Sequence, residues 1–137
     1  MNDGLVKITP NREKAKSIMK MAEITLAMIT DIDKSKFSSN VTKEYYEIIR
    51  ELISVILLLD GYKTIGEGAH KRMIEYLNAN YKQFNAYEIS LIDDMRILRN
   101  KIAYDGFFVK ESYLERKLQD IKDIIAKLKA IIEGKIA

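Results

Sequence analysis

From Tyr45 to Leu59 the chain leaves almost no polar face, and that stretch constrains the fold more than any other. Tyr45, Ile48, Ile49, Leu52, Ile53, Ile56 and Leu59 recur at helical spacing. Val55, Leu57 and Leu58 then fill the remaining sides of the second half. A helix apolar all round must be covered on several sides, either at the centre of a bundle or against a second chain. The central position is the expectation. The run is no membrane span: its longest apolar stretch, Leu52 to Leu59, holds Ser54 and falls far short of the roughly 20 residues a bilayer requires.

The other segments supply helices to surround it. Thr9 before Pro10 reads as an N-cap and first helical position, followed by Ala15, Ile18, Met19, Ala22, Leu26 and Ile29 on one face. Asp31 to Ser39 reads as a polar connection, with the apolar helix starting near Thr42. Gly61-Tyr62-Lys63-Thr64 reads as a turn and Gly66-Glu67-Gly68 as a linker. The linker lacks the preceding strand and the Lys-Ser/Thr ending of a phosphate-binding loop. A shorter helix is expected over about Ala69 to Asn80. Asn85 and Glu88 have capping-box spacing and open a helix with Leu91, Met95, Leu98 and Ile102 on one stripe, ended by Gly106. Ser112 and Glu115 repeat the spacing before a last helix carrying Leu114, Leu118, Ile121, Ile124, Ile125, Leu128 and Ile132. No sustained strand alternation and no repeat is visible. The expected fold is all-α: one domain over 1–137, an up-down four-helix bundle with one additional short helix.

Composition narrows the function classes. Cysteine is absent, which excludes disulfides, thiolate metal sites and a cysteine nucleophile. The polar start, Met1 to Gly4, lacks the apolar core of a secretory signal, so a cytoplasmic protein is expected. A net charge of +3, with acids and bases interleaved, makes no case for nucleic-acid binding by itself. Abundant lysine, isoleucine and glutamate with little glutamine is a composition found in heat-loving sources.

The segment Met95 to Gly106 carries the chemistry. At 100° per residue, Arg96, Arg99, Asn100, Ala103 and Tyr104 share one wedge of the helix, joined by Asp93 one turn earlier. The wedge lies roughly opposite the core stripe. Ile89 and Ile92 project in nearly the same directions, whereas Asp94 and Lys101 occupy a plainly wet sector. Polar groups framed by isoleucines suggest a partly covered surface such as a subunit interface or cleft. In the plainer alternative, Arg99 and Asn100 pair within the bundle and the isoleucines pack on a neighbouring loop.

Arg99-Asn100-Lys101-Ile102-Ala103-Tyr104 resembles the motif of the HEPN superfamily, in which an arginine, often followed by asparagine, precedes a histidine by four to six residues near a helix end. Here tyrosine stands at the histidine position. Glu47 to Leu59, followed by Asp60-Gly61-Tyr62-Lys63, is similar to the second helix and turn of such proteins, and His70 lies where a histidine often occurs. The resemblance implies a homodimer whose motif helices face a shared cleft, lined by Ile89, Ile92, Arg96 and Ala103. It also implies phosphate binding by Arg96, Arg99, Asn100 and Tyr104, with RNA or a nucleotide as ligand and a nucleotidyltransferase as possible partner. Active members are metal-independent ribonucleases, some of them toxins, and no cofactor or metal is implied. The departure matters: tyrosine, with a reference pKa of about 10, is a poor proton acceptor near neutrality, whereas histidine suits that work. In toxin proteins paired with minimal nucleotidyltransferases, a tyrosine two residues past the histidine receives AMP; Gly106 holds that place here. A non-catalytic binding module is therefore the leading expectation. A ribonuclease using Arg99, Asn100 and Tyr104 or His70 is the alternative, and a purely structural dimer a third.

Other candidates read more plainly. His70 is the only histidine, and a lone one near a helix start is more often a surface or capping residue than a catalyst. Asp93 and Asp94 diverge by about 100° and cannot readily share an ion. Phe107 and Phe108 could stack on RNA bases, but are expected to pack over the bundle's end. Lys117, Lys122, Lys127, Lys129 and Lys135 are expected to form a solvated face beside Glu115, Asp120, Asp123 and Glu133.

Overall fold

A computed structural model describes residues 4–137. The order is β1 (Leu5–Lys7), α1 (Arg12–Thr30), α2 (Ser38–Asp60), β2 (Tyr62–Thr64), α3 (Ala69–Asn80), α4 (Ala86–Asp105) and α5 (Glu111–Ile136). The all-α bundle holds, and α2 is its axis, packing on α1, α3, α4 and α5. Tyr45, Tyr46, Ile49, Leu52, Ile53, Val55, Ile56 and Leu57 are almost wholly buried, which satisfies the all-round apolar pattern within one chain. Facing them are Ala15 and Ile29 of α1, Leu77 of α3, Ile92 and Met95 of α4, and Ile121, Ile124 and Leu128 of α5. None of the described helices is long and apolar enough to cross a membrane.

The helix ends show where local signals prevailed. Asn85 Oδ1 accepts from the Glu88 amide at 2.8 Å while Glu88 Oε1 accepts from the Asn85 amide at 3.0 Å, completing the expected box. Gly106 takes the left-handed conformation after α4. Two expected starts are corrected. Asn11, not Thr9, caps α1, its Oδ1 accepting from the Lys14 amide at 3.0 Å. The last helix begins at Glu111 without a side-chain cap, so Ser112 lies inside its first turn. The central helix starts earlier than expected, at Ser38. There Ser38 Oγ donates to the Val109 carbonyl at 2.6 Å and Ser39 Oγ accepts from the Val109 amide at 2.7 Å.

A two-stranded ribbon replaces the expected turn at 61–64. Tyr62–Thr64 pairs antiparallel with Leu5–Lys7, Val6 opposite Lys63. Three residues are too few for alternation to be legible in sequence. Gly61 makes the junction possible: its φ is +89°, and a Cβ there would lie 3.2 Å from the Ile8 carbonyl oxygen. The ribbon and the Gly66–Gly68 linker bring the start of α3 alongside α4. Met1–Asp3, which carried the reading of a signal-free start, lie outside the described residues.

The lysines of α5 do not form the simple solvated face expected of them. Lys127 Nζ meets Glu88 of α4 at 2.8 Å, Lys129 meets Glu23 of α1 at 3.0 Å, and Lys135 ties to Asp60 at the end of α2. Asp60 also accepts from the hydroxyls of Tyr76 and Tyr81 at 2.7 and 2.6 Å. Three helices, α2, α3 and α5, are thus fastened at one carboxylate.

Candidate functional site: a basic groove between the start of α3 and the end of α4

The groove is open and polar, with a volume of about 280 Å³, and its principal walls are His70, Lys71, Arg96, Arg99, Asn100 and Tyr104. Four of the expected wedge residues therefore gather at one place. Asp93 joins only through its ion pair with Arg96, at 2.8 Å. Ala103 is exposed but is not among the groove's walls.

Arg99 is the best-fixed member. Its Nε donates to Glu47 Oε1 at 3.1 Å, and its Nη1 reaches Asn100 Oδ1 at 3.2 Å and the Tyr104 hydroxyl at 3.5 Å. Its side chain is 19% exposed. The other oxygen of Glu47 accepts from Arg50 at 3.1 Å, so one carboxylate on α2 aims two guanidinium groups. Burial by itself lowers the Arg99 pKa, but the Tyr104 hydroxyl and Glu47 outweigh it and the value is raised. Arg99 thus pairs within its own chain, as the plainer alternative held, and still presents a fork edge to the groove.

One of the two framing isoleucines is corrected. Ile92 is entirely buried in the core, facing α2, and cannot rim a subunit interface. Ile89 is half-buried against the same core and lines a separate cleft between α3 and α4, beside Ile74 and Ser90. The wedge is accordingly not opposite the core; it leans on α2 through Arg99 and Glu47.

His70 stands at the start of α3, as expected, and is half-buried. The imidazole lines the groove and packs against buried Tyr46, ring centroids 6.4 Å apart and tilted by 48°. Burial, then the positive charge of Arg50, lowers its pKa from the ordinary 6.5, with Glu47 pulling the other way. Burial likewise pushes the Tyr46 phenol up to about 12. Phe107 and Phe108 do not close the bundle's end: they are 46% and 85% exposed, and Tyr104 is 75% exposed. The Lys101 ammonium sits 5.8 Å from the Phe107 ring centre, and the Arg99 guanidinium 5.8 Å from that of Tyr104.

Fixed arginine forks, an asparagine amide, a phenol and an imidazole around one opening can hold an oxyanion such as a phosphate. No metal-binding cluster of histidine and carboxylate side chains occurs among the described residues. Fold and groove together define a helical-bundle protein with a basic surface cleft. No family model, curated protein or solved structure matches the chain.

Proposed function

We propose that the chain is a HEPN-like homodimeric binding module, without catalysis of its own, that takes a phosphate of RNA or of a nucleotide in this groove. One observation carries the reading: His70, 29 positions before Arg99 in the chain, meets Arg96, Arg99, Asn100 and Tyr104 around one opening. The motif's tyrosine is suited to donating a hydrogen bond or stacking on a base. A second copy would approach the exposed end of α4, where Ile97, Ala103 and Phe108 are uncovered, and a nucleotidyltransferase is the proposed protein partner. The cysteine-free composition suits a cytoplasmic setting, and the abundance of lysine, isoleucine and glutamate suits a heat-loving source.

His70 also favours a second reading, a metal-independent ribonuclease. A histidine whose pKa is lowered is unprotonated at neutral pH and able to take the 2′-hydroxyl proton, while Arg99 steadies the charged phosphate. The 2′-oxygen would bond to phosphorus as the 5′-oxygen leaves and takes a proton from water, giving a 2′,3′-cyclic phosphate and a 5′-hydroxyl.

Incubation of purified protein with structured RNA in EDTA, followed by gel analysis and fluorescence anisotropy, separates the two. The binding reading predicts intact RNA with saturable binding that Arg99→Ala weakens. Cleavage that both Arg99→Ala and His70→Ala abolish would establish the enzyme instead.

A further inference from the structure

We infer that the groove continues past His70 into a second phosphate subsite, so that the ligand carries at least two phosphate groups. The inference rests on the proposed reading of the groove and extends it. A second cavity, of about 210 Å³, lies on the other side of Ala69 and His70; its polar walls include Arg50, Lys63, Thr64 and His70. Ala69 and His70 belong to both cavities. The start of α3 is thus a partition with cationic groups on either side.

Arg50 is the informative residue. Glu47 holds one end of its guanidinium at 3.1 Å, yet its Nε is buried with no hydrogen-bond partner. A buried cationic N–H left unmatched is costly, and such groups in folded proteins commonly answer to a ligand or an ordered water. Lys63, carried there by β2, makes none of the ion pairs found among the described residues. Thr64 adds a hydroxyl, and no side chain caps the first turn of α3. Taken with the first groove, Arg50, Lys63, Lys71, Arg96 and Arg99 face only Glu47 and Asp93 as pairing carboxylates within this set. This local excess of positive charge along two adjoining cavities suits adjacent phosphates.

Two sources supply that chemistry: successive phosphodiesters of a single strand, or the diphosphate of a nucleotide. The test is calorimetric titration of the full chain with orthophosphate, pyrophosphate, ADP and a short single-stranded RNA. Wild type should bind pyrophosphate at least tenfold more tightly than orthophosphate. Lys63→Ala combined with Thr64→Val should abolish that preference, whereas Arg96→Ala should weaken the binding of both pyrophosphate and orthophosphate. A tenfold loss by the double variant for ADP but not RNA assigns the nucleotide; the converse assigns the strand. An undiminished pyrophosphate preference in the folded double variant overturns the second subsite and leaves the first groove standing. Failure of wild type to bind any of the four ligands overturns the groove reading itself.

Discussion

Replacing Arg99 with alanine tests the groove at its best-defined point. Arg99 Nη1 is spread between Asn100 and Tyr104 at 3.2 and 3.5 Å, contacts long enough for an arriving phosphate oxygen to displace. A hydrogen bond between charged groups at a partly sheltered site contributes about 1.5–3 kcal/mol, so Arg99→Ala should weaken phosphate or RNA binding roughly 10- to 150-fold. The fold should survive. Glu47 retains Arg50 at 3.1 Å, so no carboxylate is left without a cation, and the stability cost should stay near about 1 kcal/mol. Circular dichroism melting checks that cost, and anisotropy with labelled single-stranded RNA reads the affinity. Across a salt series, the slope of log affinity against log salt should fall by about 0.7, the value for one lost phosphate contact on a single strand. Lys122→Ala, on the exposed face of α5, removes the same charge elsewhere and should change affinity less than about twofold. Equal losses for the two variants, or an unchanged slope for Arg99→Ala, would refute local recognition and leave only diffuse attraction to a basic protein.

Asp60→Ala should destabilise the bundle by on the order of 3 kcal/mol, because it strips three partners, Tyr76, Tyr81 and Lys135, from one largely buried carboxylate; thermal melting measures it. Burial acts to raise the Asp60 pKa, but bonds from Lys135, Tyr81 and Tyr76 outweigh it and the value lies below the ordinary 3.8. That contribution is complete above about pH 4 and is lost as pH falls through the lowered folded value, so the acid unfolding limb should flatten in Asp60→Asn. The lowered His70 pKa has its own consequence: protonating it in the folded chain costs stability once pH drops below 6.5, its ordinary value. Denaturant melts of His70→Asn should lack that loss as pH falls below 6.5. On the proposed dimer, Phe108→Asp, at an 85% exposed ring, should shift sedimentation from dimer to monomer and remove the dependence of the melting temperature on protein concentration.

The bundle was legible because its signals are dense and local. Ten apolar residues around most of α2 demand cover on several sides, and Asn85 with Glu88 or Gly106 alone set helix ends by bonds spanning a few residues. Thr9 misled because a second capping residue, Asn11, stood two positions on, and Ser112 because α5 starts one residue before it with no side-chain cap at all. The groove was half legible. Arg96, Arg99, Asn100 and Tyr104 share a helix face that 100° spacing reveals, but the residues that aim and complete them come from α2 and α3. Glu47 and Arg50 stand three apart on the polar flank of an otherwise apolar helix, a spacing visible in the sequence itself. His70 carried no such signal, since its place depends on how the Gly61–Gly68 segment folds back. Ile92 was misassigned because a wheel drawn on one helix cannot show that α2 and α3 flank α4 on both sides of its stripe.

His70 is the chain's only histidine, so its imidazole gives isolated proton resonances that report on the groove without mutation. Following them by NMR across a pH series, with and without single-stranded RNA, addresses ligand capture at this place directly. An anion seated beside the ring favours its charged form, so bound RNA should displace the resonances and lift the apparent pKa above its depressed free value. Resonances and titration midpoint that stay fixed while RNA binds would put the ligand elsewhere on the molecule.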